Sequence, residues 1–178
     1  GIRDSVNGLV GSEMCIRDSG RCSGLVETPK QTETWVSGLN RKERWILPAN
    51  LHKLAAAAAR KAYAPYSGFP VGAAILTTDG RIFSGCNIEN AALPEGWCAE
   101  TTAISQMIMD GGGRIAEIAV VALKADQCPP CGGCLQRIFE FGAGSAKVHL
   151  CNAEGIVETC KLRDLLPRHF VKSGRPSV

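Results

Sequence analysis

Two short cysteine segments hold the residues best able to do chemistry. Cys98-Ala99-Glu100 stands at the start of one expected helix, and Pro130-Cys131-Gly132-Gly133-Cys134 at the start of another. Zinc takes four tetrahedral ligands from thiolate, imidazole or carboxylate. A helix N-terminus favours thiolates, because its unpaired N–H groups and dipole stabilise negative charge. A Cys-x-x-Cys on a first turn puts both sulfurs on one side, able to chelate one ion. Adding Cys98 gives three protein ligands and leaves the fourth position for water, the arrangement of a catalytic zinc. Glu100, two residues after Cys98, points away from that ligand direction. It is placed to lean over the fourth position and carry protons.

The spacing leaves other readings open. Cys128, Cys131 and Cys134 form a Cys-x-x-Cys-x-x-Cys run, a spacing that also occurs in iron–sulfur proteins. A structural zinc held by Cys98 and all three is a further alternative. Pro129-Pro130 argues against both, since it holds Cys128 away from the helix start and leaves it a loop thiol. Cys86, Cys151 and Cys160 lie in or beside apolar strands and read as core residues. His52, His149 and His169 have no ligand spacing and read as structural or solvated.

These segments need elements to hold them. Leu51–Ala62 is Ala-rich without Gly or Pro and predicts a helix ending before Pro65. Val71–Thr77 and Arg81–Cys86 predict strands, joined by a hairpin at Thr78-Asp79-Gly80. Helices follow at Trp97–Met109 and Gly132–Phe141, strands at Ile115–Lys124, Lys147–Cys151 and Ile156–Cys160, and a helical turn at Leu162–Leu166. The order predicts an α/β fold, a mixed sheet of about five strands flanked by helices.

The chain has 178 residues, room for one compact domain. No apolar run reaches the roughly 18 residues of a membrane helix. Twenty Lys+Arg against 17 Asp+Glu, with five Phe, three Trp and two Tyr, make neither a polyanion surface nor a base-stacking platform. Nucleic-acid and membrane partners are not expected. Nine cysteines, an odd number, without a signal peptide, predict reduced thiols and a cytoplasmic location. Residues 1–44 repeat Ile-Arg-Asp-Ser at Ile2–Ser5 and Ile16–Ser19 without periodicity, and Gly11–Ser19 resembles a translated sequencing adapter. The expected layout is a disordered leader over 1–44, carrying Cys15 and Cys22, a catalytic domain over 45–170 and a flexible tail over 171–178.

Taken together, Cys98-Ala99-Glu100, Pro130-Cys131-x-x-Cys134, Tyr63–Ala74, Gly85-Cys86-Asn87-Ile88-Glu89-Asn90-Ala91 and Leu165-Leu166-Pro167 strongly resemble the cytidine deaminase family. The resemblance implies one zinc per subunit on Cys98, Cys131 and Cys134. It implies attack of zinc-activated water on C4 of cytidine or deoxycytidine, with Glu100 as proton shuttle, in pyrimidine salvage. It further implies that Asn87 and Glu89 bind the ribose hydroxyls and that Phe69 stacks on the pyrimidine. The backbone near Ala99 and Pro130 would read the base edge. The small-molecule nucleoside substrate comes with a homotetramer, or failing that a homodimer.

The rival expectations are a blasticidin-type aminopyrimidine deaminase, which should lack the sugar clamp, a polynucleotide-editing deaminase, and a non-enzymatic structural-zinc or iron–sulfur module. Three departures stand out. Relatives often carry Arg after Cys-Ala-Glu and after the last cysteine, where this chain has Thr101 and Leu135. They often carry Tyr at an intersubunit position, here Leu93. The first two predict a slower enzyme, or one compensated by another cation such as Arg137.

Overall fold

The computed structural model describes residues 48–172. The expected leader 1–44, with Cys15 and Cys22, and the tail beyond residue 172 lie outside the described residues. Ten elements follow in order: α1 (Pro48–Ala59), β1 (Val71–Thr77), β2 (Ile82–Cys86), a 3-10 turn (Leu93–Glu95), α2 (Ala99–Met109), β3 (Ile115–Ala122), α3 (Gly132–Phe141), β4 (Gly142–Cys151), β5 (Ile156–Lys161) and α4 (Leu162–Leu165). The five strands make one mixed sheet in the order β2-β1-β3-β4-β5.

The connectivity decides where the helices begin. Both β2 and β3 pair antiparallel with β1, so they point the same way. Helix α2 follows β2 and α3 follows β3, so both helices start at the same edge of the sheet. β4 is parallel to β3, which makes α3 a crossover helix that must leave from the carboxyl end of β3. The carboxyl edge of a parallel pair, beside a strand that runs the other way, is where α/β sheets place ligands.

The alternation of β-strand side chains splits the core in two. On one face Ala74, Ala119, Val121 and Cys151 meet Leu51, Ala55 and Ala56 of α1. On the other, Ala73, Ile75, Phe83, Ile118, Val120, Val148 and Leu150 meet residues of α2, α3 and α4. Two glycines let the helices come this close. A Cβ on Gly72 would collide with the Ala55 carbonyl oxygen of α1, and one on Gly85 with the Ala103 amide of α2. Each strand therefore carries a bare backbone patch as a seat for its helix.

Several boundaries differ from expectation. Helix α1 ends at Ala59, and the chain tightens through i−3 bonds from Lys61 to Ala58 and Ala62 to Ala59. Helix α2 begins at Ala99, because Trp97 pairs its backbone with Ile88 and Cys98 serves as N-cap. β3 stops at Ala122, and β4 begins at Gly142, five residues early. Gly142–Ala146 lacks β-branched residues, so pattern missed it, yet Gly142 is drawn into pairing with Ile115. The core expectation holds fully for Cys151 alone. Cys86 and Cys160 are half-buried, because β2 and β5 are the sheet's edges.

Candidate active site

The three cysteines meet at the common edge. Cys98 is the N-cap of α2, in extended conformation, and its side chain makes no capping bond. Cys131 is the N-cap of α3 and accepts from the Cys134 amide at 3.4 Å. Cys134, in the first turn, is fully buried. The sulfurs of Cys98, Cys131 and Cys134 lie within 4.8 Å of one another, and among the described residues no other group of His, Cys, Asp and Glu is assembled to hold a metal. A tetrahedral zinc with three sulfurs at bonding distance needs sulfur separations of about 3.8 Å. The donor set therefore fits zinc with little movement.

The electrostatics agree. Burial pushes the thiols of Cys98 and Cys134 up; the Glu100 carboxyl and neighbouring sulfurs add to it at Cys134, while at Cys98 a hydrogen bond with Cys134 pulls the other way without overcoming it. Thiols gathered this closely resist ionising together unless a dication joins them. Cys128 sits in the loop before α3, half-buried against the core, its thiol pushed up to about 11 by burial and by Glu100. It is outside the cluster of three. The iron–sulfur and four-cysteine readings thus lose their fourth sulfur, because Pro129-Pro130 separates Cys128 from the start of α3.

Glu100 lies in the first turn of α2 and is only 4% exposed. Burial pushes its carboxyl up; its own backbone N–H, the Cys134 thiol and the charge of Arg137 pull the other way without overcoming that. A carboxyl whose hold on a proton is strengthened by burial suits proton transfer better than a solvated one. Ala99 and Pro130, the expected base-edge positions, are both buried beside the ligands.

Asn87 and Glu89 follow β2 and flank Ile88. Ile88 is a junction: it bridges Tyr63 on one side and Trp97 on the other. That double bridge sets Asn87 and Glu89 a few residues' reach from Cys98. Both side chains turn to the segment Tyr66–Val71. Asn87 accepts from the Val71 amide at 2.8 Å and donates to the Phe69 carbonyl at 3.0 Å. Glu89 accepts from the amides of Tyr66 (2.8 Å) and Ser67 (3.2 Å) and from the Ser67 hydroxyl. These bonds, the Ser67 hydroxyl first, hold its carboxyl below the usual range. Each side chain keeps spare capacity, a second amide hydrogen on Asn87 and further lone pairs on Glu89. Their first work is to fix the loop that carries Phe69, which is 37% exposed.

Other expected residues fall elsewhere. Thr101 is buried with Oγ1 3.9 Å from the Cys134 sulfur, Leu135 packs in the core, and Leu93 is 76% exposed in the 3-10 turn. His52 meets the Asn152 carbonyl, His149 bridges Thr159 and Glu117, and His169 stacks on Phe139. None of the three histidines is in the metal-capable cluster. Two supports escaped the sequence. Thr102 Oγ1 donates to the Cys86 carbonyl at 2.9 Å, tying the first turn of α2 to the end of β2. Ser67 anchors Glu89 across 22 residues. Thr102, four residues after the N-cap, carried a local signal; the Ser67–Glu89 pairing carried none.

Residues 48–150 match the family model described as the cytidine and deoxycytidylate deaminase zinc-binding region. A cytidine deaminase of Sporosarcina psychrophila is 47% identical over 115 residues, covering 65% of this chain and 85% of that protein. One from Halalkalibacterium halodurans is 42% identical, covering 67% of this chain and 91% of that protein. The crystal structure of cytidine deaminase from Burkholderia pseudomallei superposes with a TM-score of 0.67 at 42% identity, over 70% of this chain and all of that one. A shared sheet, a matched zinc-binding region and three thiols beside a buried glutamate place this chain in the cytidine and deoxycytidylate deaminase family.

Proposed function

We propose that this chain hydrolyses cytidine and deoxycytidine to uridine and deoxyuridine, with Cys98, Cys131 and Cys134 as ligands of one zinc ion. The observation that carries the reading is the meeting of three thiols and the buried Glu100 carboxyl at one sheet edge. Zinc, when bound, supplies a Lewis acid that makes water nucleophilic at neutral pH. Glu100 accepts the proton released as that water adds to C4, and passes it to ring nitrogen N3. It then helps move a proton to the departing amino group. The C4–O bond forms, the C4–N bond breaks, and water is consumed as ammonia leaves. Burial of Glu100 keeps bulk water from competing for its proton.

Asn87 and Glu89 are assigned to the ribose hydroxyls and Phe69 to the pyrimidine face; the backbone at Ala99 and Pro130 is assigned to the base's polar edge. Their shared orientation toward the Tyr66–Val71 loop supports a sugar pocket there. It also favours a nucleoside over a base lacking free sugar hydroxyls. We assign the catalytic unit to residues 45–170, with 1–44 as leader and 171–178 as tail; trimming the leader should leave turnover intact.

The finer reading is a homotetramer, with a homodimer as the other outcome of a light-scattering mass measurement. Its support is apolar surface: Tyr63, Ile88 and Trp97, joined by backbone bridges, are each 46% exposed or more, and Leu93 is more exposed still. A cytoplasmic location is supported by seven free cysteines among the described residues, which fit a reducing compartment; the role in pyrimidine salvage rests on the proposed nucleoside substrates.

The test is direct. Purified protein with cytidine should show the ultraviolet change of uridine formation, and Glu100→Gln should bind zinc without producing it. Zinc-loaded protein that leaves cytidine and deoxycytidine untouched would overturn the proposal.

A further inference from the structure

The charge balance of the site leaves one question that the ligands do not answer. A dication with three thiolates carries a net formal charge of −1, and the Glu100 carboxyl lies beside it. Two helix N-termini offset only about half a unit each. The residues that directly follow the ligand segments, Thr101 and Leu135, are buried and uncharged.

Helix α3 provides a cation from further along. Arg137 stands four residues after Gly133, so the two share a helix face. Helical side chains lean toward the N-terminus, which sends the guanidinium back over the first turn. Gly133 offers it a bare surface. A Cβ built there would lie 3.2 Å from Arg137 Nη1 and 4.0 Å from Cys131 Sγ. Nitrogen and sulfur thus flank the same small space, no farther apart than the sum of those distances. The Arg137 charge also reaches the Glu100 carboxyl. A helix dipole disfavours a cation at its N-terminus, so an arginine folded back onto that end needs an anion to face.

We propose that Arg137 is the charge-compensating positioning residue of this centre, offsetting the three thiolates and so setting how tightly zinc is held. The inference rests on the zinc reading above. It touches no substrate atom and acts through the ligands. Arg137 is exposed, so its effect is open to salt screening and its replacement leaves the core alone.

The experiment measures zinc affinity by competition with a chromophoric chelator for the wild-type chain, Arg137→Gln, Arg137→Lys and the control Lys53→Gln. Lys53 is exposed on α1, across the sheet, and its loss changes net charge equally. Arg137→Gln should weaken zinc binding about tenfold at low ionic strength. The gap should shrink at roughly 0.5 M salt. Arg137→Lys should recover most of the affinity, Lys53→Gln should match wild type, and the melting of all four metal-free proteins should coincide. Equal zinc affinity in Arg137→Gln and wild type would overturn the inference. So would an equal loss in Lys53→Gln, or no recovery in Arg137→Lys. Wild type that binds one zinc and turns over cytidine keeps the functional reading whatever the variants do; wild type that binds none fails that reading first.

Discussion

The two ends of the sheet treat charge in opposite ways. At the end where α2 leaves off and β3 begins, polar groups are paired among themselves. Asp79 in the β1–β2 turn meets the Thr77 hydroxyl and Arg81, and Arg81 reaches on to Asp110 and to the Gly112 carbonyl. The Asp79 carboxyl is held down to about 2, by the Thr77 hydroxyl first and Arg81 next. At the other end, three thiols and a carboxyl are packed together and burial pushes Glu100, Cys98 and Cys134 up. One end has its balance built in. The other gathers groups of like charge that a bound dication would draw together, and that is why we read it as the site.

The largest break should come from the ligands. Cys134→Ala should lose zinc and with it measurable deamination, read by metal content and turnover; near-normal zinc in this variant would contradict the ligand assignment. Glu100→Gln should come next, lowering kcat/KM by roughly 10²–10⁴-fold while zinc content stays at one per chain. Zinc lost in step with activity would instead make Glu100 a structural support of the ligands.

A subtler break separates holding the site from holding the fold. Gly85→Ala forces α2 off its seat, and Gly72→Ala does the same to α1. Each should cost about 1–3 kcal/mol of stability in denaturant titration. Only Gly85→Ala should also lower kcat/KM, by about tenfold, since α2 carries Cys98 and Glu100 and a shift of an ångström is enough. Equal activities for the two variants would show that the seat under α2 has no part in placing the site.

The smallest effect belongs to the opposite end. A carboxylate whose folded pKa is depressed contributes stability above its unfolded pKa, and that contribution is lost as pH falls through the folded value. For Asp79 the window runs from about 4 down to about 2. Asp79→Asn should be slightly less stable than wild type at neutral pH, and the gap should close across that window, followed by thermal melts. Deamination at neutral pH should be unchanged. A gap that persists at pH 2 would remove the carboxylate as its cause.

Much of this was legible in residue order. The strand Val71–Thr77 and the helix Gly132–Phe141 follow from patterning and punctuation alone. Cys98, Cys131 and Cys134 declared themselves by their spacing and by their place at helix starts, which favour thiolates, and the structure does bring their sulfurs together. Less legible were features made by pairing. The early start of β4 depends on Ile115 drawing in Gly142, and the start of α2 on Ile88 holding Trp97. Asn87 and Glu89 stood out only through the family resemblance of the segment Gly85–Ala91. Nothing local said that their first partners are the backbone of Phe69 and Val71 and the Ser67 hydroxyl.

Local chemistry therefore determined the inventory: a helix or strand at nearly every position found, the ligand types, and a carboxyl two residues from a thiol. These depend on side-chain periodicity and on caps, which act over a few residues. Tertiary structure alone decided the meeting. Two strands that run the same way on either side of β1 launch two helices from one edge, which brings Cys98 to Cys131 and Cys134 across 33 and 36 residues. The same packing buries Glu100 and folds Arg137 back over Gly133. Burial and long-range charge depend on what the whole sheet places nearby, and no short window of sequence contains that.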